Sequence, residues 1–133
     1  MTSTSGKKYV LDSWAWIAYF DGTEPGKRVD HIILSAEAFT SAVTVAEVLS
    51  KAERQGKNTE KIFDFMVSLS KVIDVNPDIA KAVGLLHAQI KKSSPNFSLA
   101  DAFTLQTAKH LGAKVLTGDP DFKGIKEAEM LQE

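Results

Sequence analysis

Four short runs suited to β-strands recur along the chain: KYVL (8–11), AFTSAV (38–43), KVIDV (71–75) and AKVLT (113–117). The stretches between them carry helical signals instead. SWAWIAYF reads as a short packed helix that DGTEPG stops at Asp21, and residues 27–34 are weakly helical. Val45, Val48, Leu49 and Ala52 fall at i, i+3, i+4 and i+7, which predicts one buried helical face. Gly56 closes that helix, and Asn58 or Thr59 caps the next, through Ile62, Phe63, Met66 and Leu69. Asn76-Pro77 is an N-cap with a first-turn proline, opening a helix to about Lys92. Ser98 opens another, ending near Gly112, and a short helix and a last strand come after the fourth run. Strands that alternate with helices predict a three-layer α/β/α sandwich around a largely parallel sheet of four to five strands.

With 133 residues, 44% of them apolar, the chain can bury a core as a single domain over 1–133, residues 1–6 being a flexible tail. It has no cysteine, which removes disulfides and thiolate metal sites from consideration. Its opening, MTSTSGKK, lacks the apolar segment of a secretion signal, and no run approaches the ~20 apolar residues of a membrane span. The expectation is a cytoplasmic protein without a membrane partner. Sixteen Lys plus Arg against seventeen Asp plus Glu give a net charge of −1, so bulk positive charge cannot hold a nucleic acid.

The acids matter by position. In open parallel sheets, ligands sit beyond the carboxyl ends of the strands. Asp12 comes directly after the first strand, Glu47 lies early in the helix after the second, Asp101 opens the helix before the fourth, and Asp119 comes after the fourth. Each also has a purely structural reading. Asp12 and Asp119 can each cap the helical turn that begins next to them, and Thr44 to Glu47 and Ser98 to Asp101 both resemble capping boxes. Glu47 can pair with Lys51 one turn on. Capping, however, needs only a hydroxyl or an amide, so it does not explain why acids recur. Carboxylates brought close together repel unless a cation compensates, and a hard ion such as Mg²⁺ takes all-oxygen ligands.

In order along the chain, YVLDSWAWIAYF, SAVTVAEVL and FSLADAFTLQTAKHLGAKVLTGDPDF resemble the PIN-domain nucleases and, at this length, VapC-type toxins of toxin–antitoxin pairs. The resemblance spans almost the whole chain and is weakest over residues 21–37. It implies a sheet in the order 3-2-1-4-5 and an acidic quartet at Asp12, Glu47, Asp101 and Asp119. Asp121 stands as an auxiliary fifth acid, Thr117 as the hydroxyl orienting the first aspartate, and Ser13 as its small polar neighbour. It further implies hydrolysis of RNA by a metal-activated water, with Mg²⁺ or Mn²⁺ on Asp12, Asp101 and Asp119 and with Glu47 acting on the water. The implied partners are an RNA substrate, a cognate antitoxin and a second copy of the chain.

Around these acids, Trp14 or Trp16 could stack a base, with core packing expected for at least one. Lys91, Lys92 and Lys123 are candidate phosphate contacts that also read as ordinary solvated lysines. His87 and His110 read as surface or packing residues. Among competing functions, a haloacid-dehalogenase-like phosphohydrolase needs D-x-D, whereas position 14 is Trp. A phosphoacceptor receiver domain needs a lysine where Thr117-Gly118 stands. An inactive binding member and a housekeeping RNA-processing PIN enzyme remain as alternatives.

Overall fold

Tyr9, Val10 and Leu11 are all buried, and the pleat of β1 (Lys8–Leu11) divides them between two cores. Tyr9 and Leu11 join one cluster, Val10 the other. In β4 (Lys114–Thr117), Leu116 and Val115 divide the same way. Strands apolar on both sides belong at the centre of a parallel sheet with both faces covered. The structure, a computed structural model describing residues 6–131, puts them there. Of the tail expected over residues 1–6, only Gly6 lies within the described residues.

The strand order is β3-β2-β1-β4-β5, with β2 at Glu37–Ser41, β3 at Lys71–Ile73 and β5 at Ala128–Met130. All neighbouring strands are parallel. This is the predicted order, and it differs from the 2-1-3-4-5 order of receiver domains. Helices α1 (Ser13–Asp21), α2 (Glu24–Ser35), α3 (Ala42–Arg54) and α4 (Thr59–Leu69) carry the chain from β1 through β2 to β3. They cover the face bearing Tyr9 and Leu11. The chain then reverses direction across the sheet, through α5 (Pro77–Lys91) and α6 (Leu99–Leu111), to reach β4. Right-handed crossovers place the reversed connection on the opposite face, against Val10 and Val115. The reversal falls between β1 and β4, which makes their carboxyl ends the natural cleft.

Three local readings need correction. The second strand ends at Ser41 rather than at residue 43, because the Ser41 hydroxyl accepts the Val43 N–H (3.2 Å) and starts α3 at Ala42. Thr44 is therefore inside the helix, and no Thr44–Glu47 capping box forms. Its buried hydroxyl instead lies 3.4 Å from that of Thr104 on α6. The buried face of α3 is Thr44, Val48 and Ala52, with Val45 and Leu49 only half-buried. Finally, DGTEPG does more than stop α1. Gly22 ends that helix in the left-handed region (φ 68°), and Thr23 caps α2 by accepting the Gly26 N–H.

Buried side-chain polar atoms are paired throughout the described residues. The indole N–H of fully buried Trp16 donates to Thr40 Oγ1 (3.0 Å), which lies 2.7 Å from Ser70 Oγ, and Ser70 donates to the Met66 carbonyl. This thread ties α1, β2 and α4 together. Among the described residues no helix is long and apolar enough to cross a membrane.

Helices α1 and α2 meet closely at Gly26, where a Cβ would lie 2.0 Å from the Ala18 carbonyl oxygen. Gly26→Ala should therefore destabilise the fold by about 1–3 kcal/mol through overpacking. Gly84 on α5 faces open space, and Gly84→Ala should stabilise by about 0.5–1 kcal/mol. Urea denaturation of both variants beside the parent chain measures the contrast.

Candidate active site

The pairing of β1 with β4 in the register Leu11↔Leu116 sets the next residues, Asp12 and Thr117, side by side. Asp12 is buried and caps α1, its Oδ1 accepting the Ala15 N–H at 2.9 Å. Its Oδ2 accepts a hydrogen bond from the Thr117 hydroxyl. That same hydroxyl accepts the Asp119 N–H at 2.9 Å, so one buried threonine positions two acids. Asp119 in turn caps the single 3₁₀ turn Pro120–Phe122 by accepting the Asp121 N–H, also at 2.9 Å.

Asp101 arrives from the far side of the cleft on α6. Its Oδ2 accepts the Ser98 N–H while Ser98 Oγ accepts the Asp101 N–H, each at 3.0 Å, so this capping box does form. One carboxylate oxygen from each of Asp101, Asp119 and Asp121 can be chosen so that all three lie within 4.8 Å of one another. Asp12 stands deeper, its two oxygens already held by Thr117 and Ala15. Glu47 stands on the exposed rim of the cleft on α3.

The electrostatics join all five acids. Burial first, and then the charges of Asp119 and Asp101, push the Asp12 carboxyl up to about 7 against the lowering effect of its two hydrogen bonds. Desolvation raises Asp101 as well, with Asp119 and Asp121 adding to the shift and the Ser98 hydrogen bonds opposing it. Glu47 is raised by desolvation and then by Asp101. The donor set is entirely oxygen, and its members disfavour one another's charge. A hard divalent cation fits such a set, because its ligands are carboxylate oxygens and its charge removes the repulsion.

Beside the acids an open groove of about 530 Å³ runs between α1 and α3, lined by Ser13, Ile17, Val43, Ala46, Glu47, Ser50, Lys51 and Arg54. Val43, Ala46, Glu47 and Ser50 form one helical stripe along it. The Glu47–Lys51 pair that the spacing allows is not among the ion pairs of the described residues. Sequence spacing marks Lys51 only as that pair's partner, and no motif singles out Arg54. The available signal was their spacing, one and two turns beyond Glu47.

The remaining candidates fall largely outside the cleft. Trp16 is core. Half-buried Trp14 lies over the turn between the acids, where a Cβ on Gly118 would meet its ring at 2.4 Å. A larger residue there would have to displace the Trp14 ring. His87 hydrogen-bonds the Phe97 carbonyl, and His110 pairs with Gln106 on its own helix. Lys91 donates to the Pro95 carbonyl, and Lys92 and Lys123 are solvent-exposed.

The family model for the PIN domain matches residues 9–128. The chain belongs to the PIN-domain family. Solved structures of similar fold include a toxin–antitoxin complex from Klebsiella pneumoniae, with 24% identity, TM-score 0.77, and coverage of 94% of this chain and 98% of that one. Another is DNA-bound VapBC from Salmonella typhimurium, at 20% identity and TM-score 0.70, covering 93% and 96% of the two chains. The sarcin-ricin-loop-cleaving toxin VapC20 of Mycobacterium tuberculosis aligns at 14% identity and TM-score 0.71, covering 92% and 98%. No curated protein matches the chain. At these identities the neighbours establish the shared PIN fold, and the chemistry has to be argued from the acids.

The raised carboxyls give a pH dependence of definite sign. Asp12 holds its proton in the folded PIN domain up to about pH 7 but in the unfolded chain only up to about 3.8. The stability this contributes is fully present below pH ~4 and is lost as pH rises towards 7. With chelator present, Tm should fall between pH 5 and pH 8, and Asp12→Asn should remove most of the fall. Adding Mn²⁺ should raise Tm more at pH 8 than at pH 5. Thermal melts at the two pH values, with EDTA or Mn²⁺, provide the measurement.

Proposed function

We propose that this PIN domain is a Mg²⁺- or Mn²⁺-dependent endoribonuclease of the VapC toxin type, a cytoplasmic homodimer restrained by a cognate antitoxin. The observation that carries the reading is the convergence of five acids from β1, α3, α6 and the turn after β4 at a single cleft. The fold shared with toxin–antitoxin complexes supports the antitoxin partner, and the fold shared with a sarcin-ricin-loop-cleaving toxin supports RNA as substrate.

Asp12, Asp101 and Asp119 would hold the ion, with Asp121 completing the set, directly or through water. When bound, the ion neutralises charge on the scissile phosphate and makes water a stronger nucleophile near neutral pH. The protein's own groups do the rest. Thr117 sets the separation of Asp12 from Asp119 by holding the side chain of one and the backbone of the other. The Ser98 capping box fixes Asp101 in one rotamer facing them. Glu47, raised by desolvation and Asp101, is the better proton acceptor for being raised, and it orients and deprotonates the attacking water. Ser13, half-buried beside Asp12, lines the mouth of the groove from which substrate enters.

The test uses purified chain and end-labelled RNAs with Mg²⁺, Mn²⁺ or EDTA, beside Asp12→Asn. Cleavage should require a divalent ion, and the variant should be slower by about 10³-fold or more, as expected for one member of a catalytic unit. Equal cleavage by both chains would mean a contaminating nuclease and would sink the assignment. Because Asn can still accept from Ala15, the variant should keep the parent's circular dichroism.

A further inference from the structure

The groove between α1 and α3 has a charge arrangement that the acid cluster does not use. Glu47 and Ser13 mark the end nearest the acids, whereas Lys51 and Arg54 line its walls further along α3. Both cations are solvent-exposed, and among the described residues neither belongs to an ion pair. By contrast, Lys57, three residues beyond Arg54, is neutralised by Asp21 at 3.1 Å. A helix rises ~1.5 Å per residue, so Arg54 stands about 10 Å along the axis from Glu47. That spacing suits a neighbouring phosphate along the same strand. Lys51 also lines a second hollow of about 400 Å³, with Trp14, Ile17, Ala18, Asp21, Thr23 and Pro25, so the groove continues past it.

From this we infer that the α1–α3 groove seats the RNA strand flanking the cleavage point, with Lys51 and Arg54 holding a neighbouring phosphate and Ser50 one turn before Arg54 on the same wall. The inference rests on the nuclease reading above. A net charge of −1 gives the chain no general attraction for RNA, so affinity has to come from local contacts of this kind. The groove also carries the apolar Ile17, Val43 and Ala46, and it is the two unpaired cations with Ser50 that give a polyanion its charge complement.

The experiment compares the parent chain, Lys51→Ala/Arg54→Ala, Arg54→Lys, and Lys81→Ala as a control on α5, across the sheet. With single-stranded RNA and Mn²⁺, the double variant should raise KM roughly tenfold while kcat stays within about twofold, the pattern of lost uniform binding. Binding to fluorescent RNA is then measured by anisotropy in the Asp12→Asn background between 50 and 200 mM salt. The double variant should flatten the log–log salt slope by about 0.7 for each phosphate left without its cation. Arg54→Lys should keep most of the slope, and Lys81→Ala should change nothing.

If the parent chain cuts RNA while the double variant keeps its KM and slope, the groove inference is overturned and the nuclease reading stands. That same result is expected if the groove serves only a protein partner. A parent chain that cuts no RNA overturns the nuclease reading, and the inference with it.

Discussion

The parallel pairing of β1 with β4 is the interaction on which the rest depends. Its register brings the ends of two strands, distant in sequence, to one point, and the buried Thr117 hydroxyl then links Asp12 to Asp119. The pairing is secured by the core rather than by the acids. Leu11 and Leu116 pack on one face and Val10 and Val115 on the other. Slipping the register by one residue would send each of these side chains to the wrong face. Hydrophobic burial therefore fixes the position of a charged site that contributes nothing to that burial. The crossover reversal between the same two strands adds α6, which brings Asp101 to the cleft from the opposite layer.

The structural and functional readings of the acids turn out not to compete. Asp12, Asp101 and Asp119 all act as caps, each giving one oxygen to a backbone N–H of its own turn. An N-terminal position also places a carboxylate at the positive end of a helix, which favours its charged form. The caps thus supply rotamer control and partial compensation, leaving Asp101 and Asp119 a second oxygen directed elsewhere. Desolvation still wins over these hydrogen bonds at Asp12 and Asp101, whose carboxyls are raised rather than lowered. Stability given up in this way is expected of a functional site, here the cation site proposed for these acids.

Much of this was legible in the sequence, for identifiable reasons. Strand runs bounded by helical periods required a parallel sheet, and acids directly after strands had to appear at its carboxyl edge. The features that stayed hidden depended on tertiary partners. Ala42 and Val43 look like strand residues until the Ser41 hydroxyl is seen to cap α3. Thr44 looks like a cap until Thr104 is found opposite it across the helix interface. Asp121, read as auxiliary, comes into the tightest oxygen group only because the 3₁₀ turn folds it back beside Asp119. Gly118 gave no signal by itself, since the ring of Trp14 that packs against it lies far away in sequence.

The distribution of charge is what would let a chain of net charge −1 take the polyanionic substrate proposed for it. At physiological salt the Debye length is ~8 Å, so exposed charges about 10 Å apart are largely screened from one another. Arg54 therefore does little to relieve the acids, and the charge acting on Glu47 is that of Asp101. The two ends of the groove remain electrostatically separate: one concentrates negative charge and needs a cation, the other offers positive charge directly. On the proposed nuclease reading, a single strand laid along the groove would meet both demands at once. Its scissile phosphate would lie at the acids and their cation, and a neighbouring phosphate at Lys51 and Arg54. Neutralising the whole surface would lose that distinction. Separation of the charges, rather than their sum of −1, is what gives the cleft a direction.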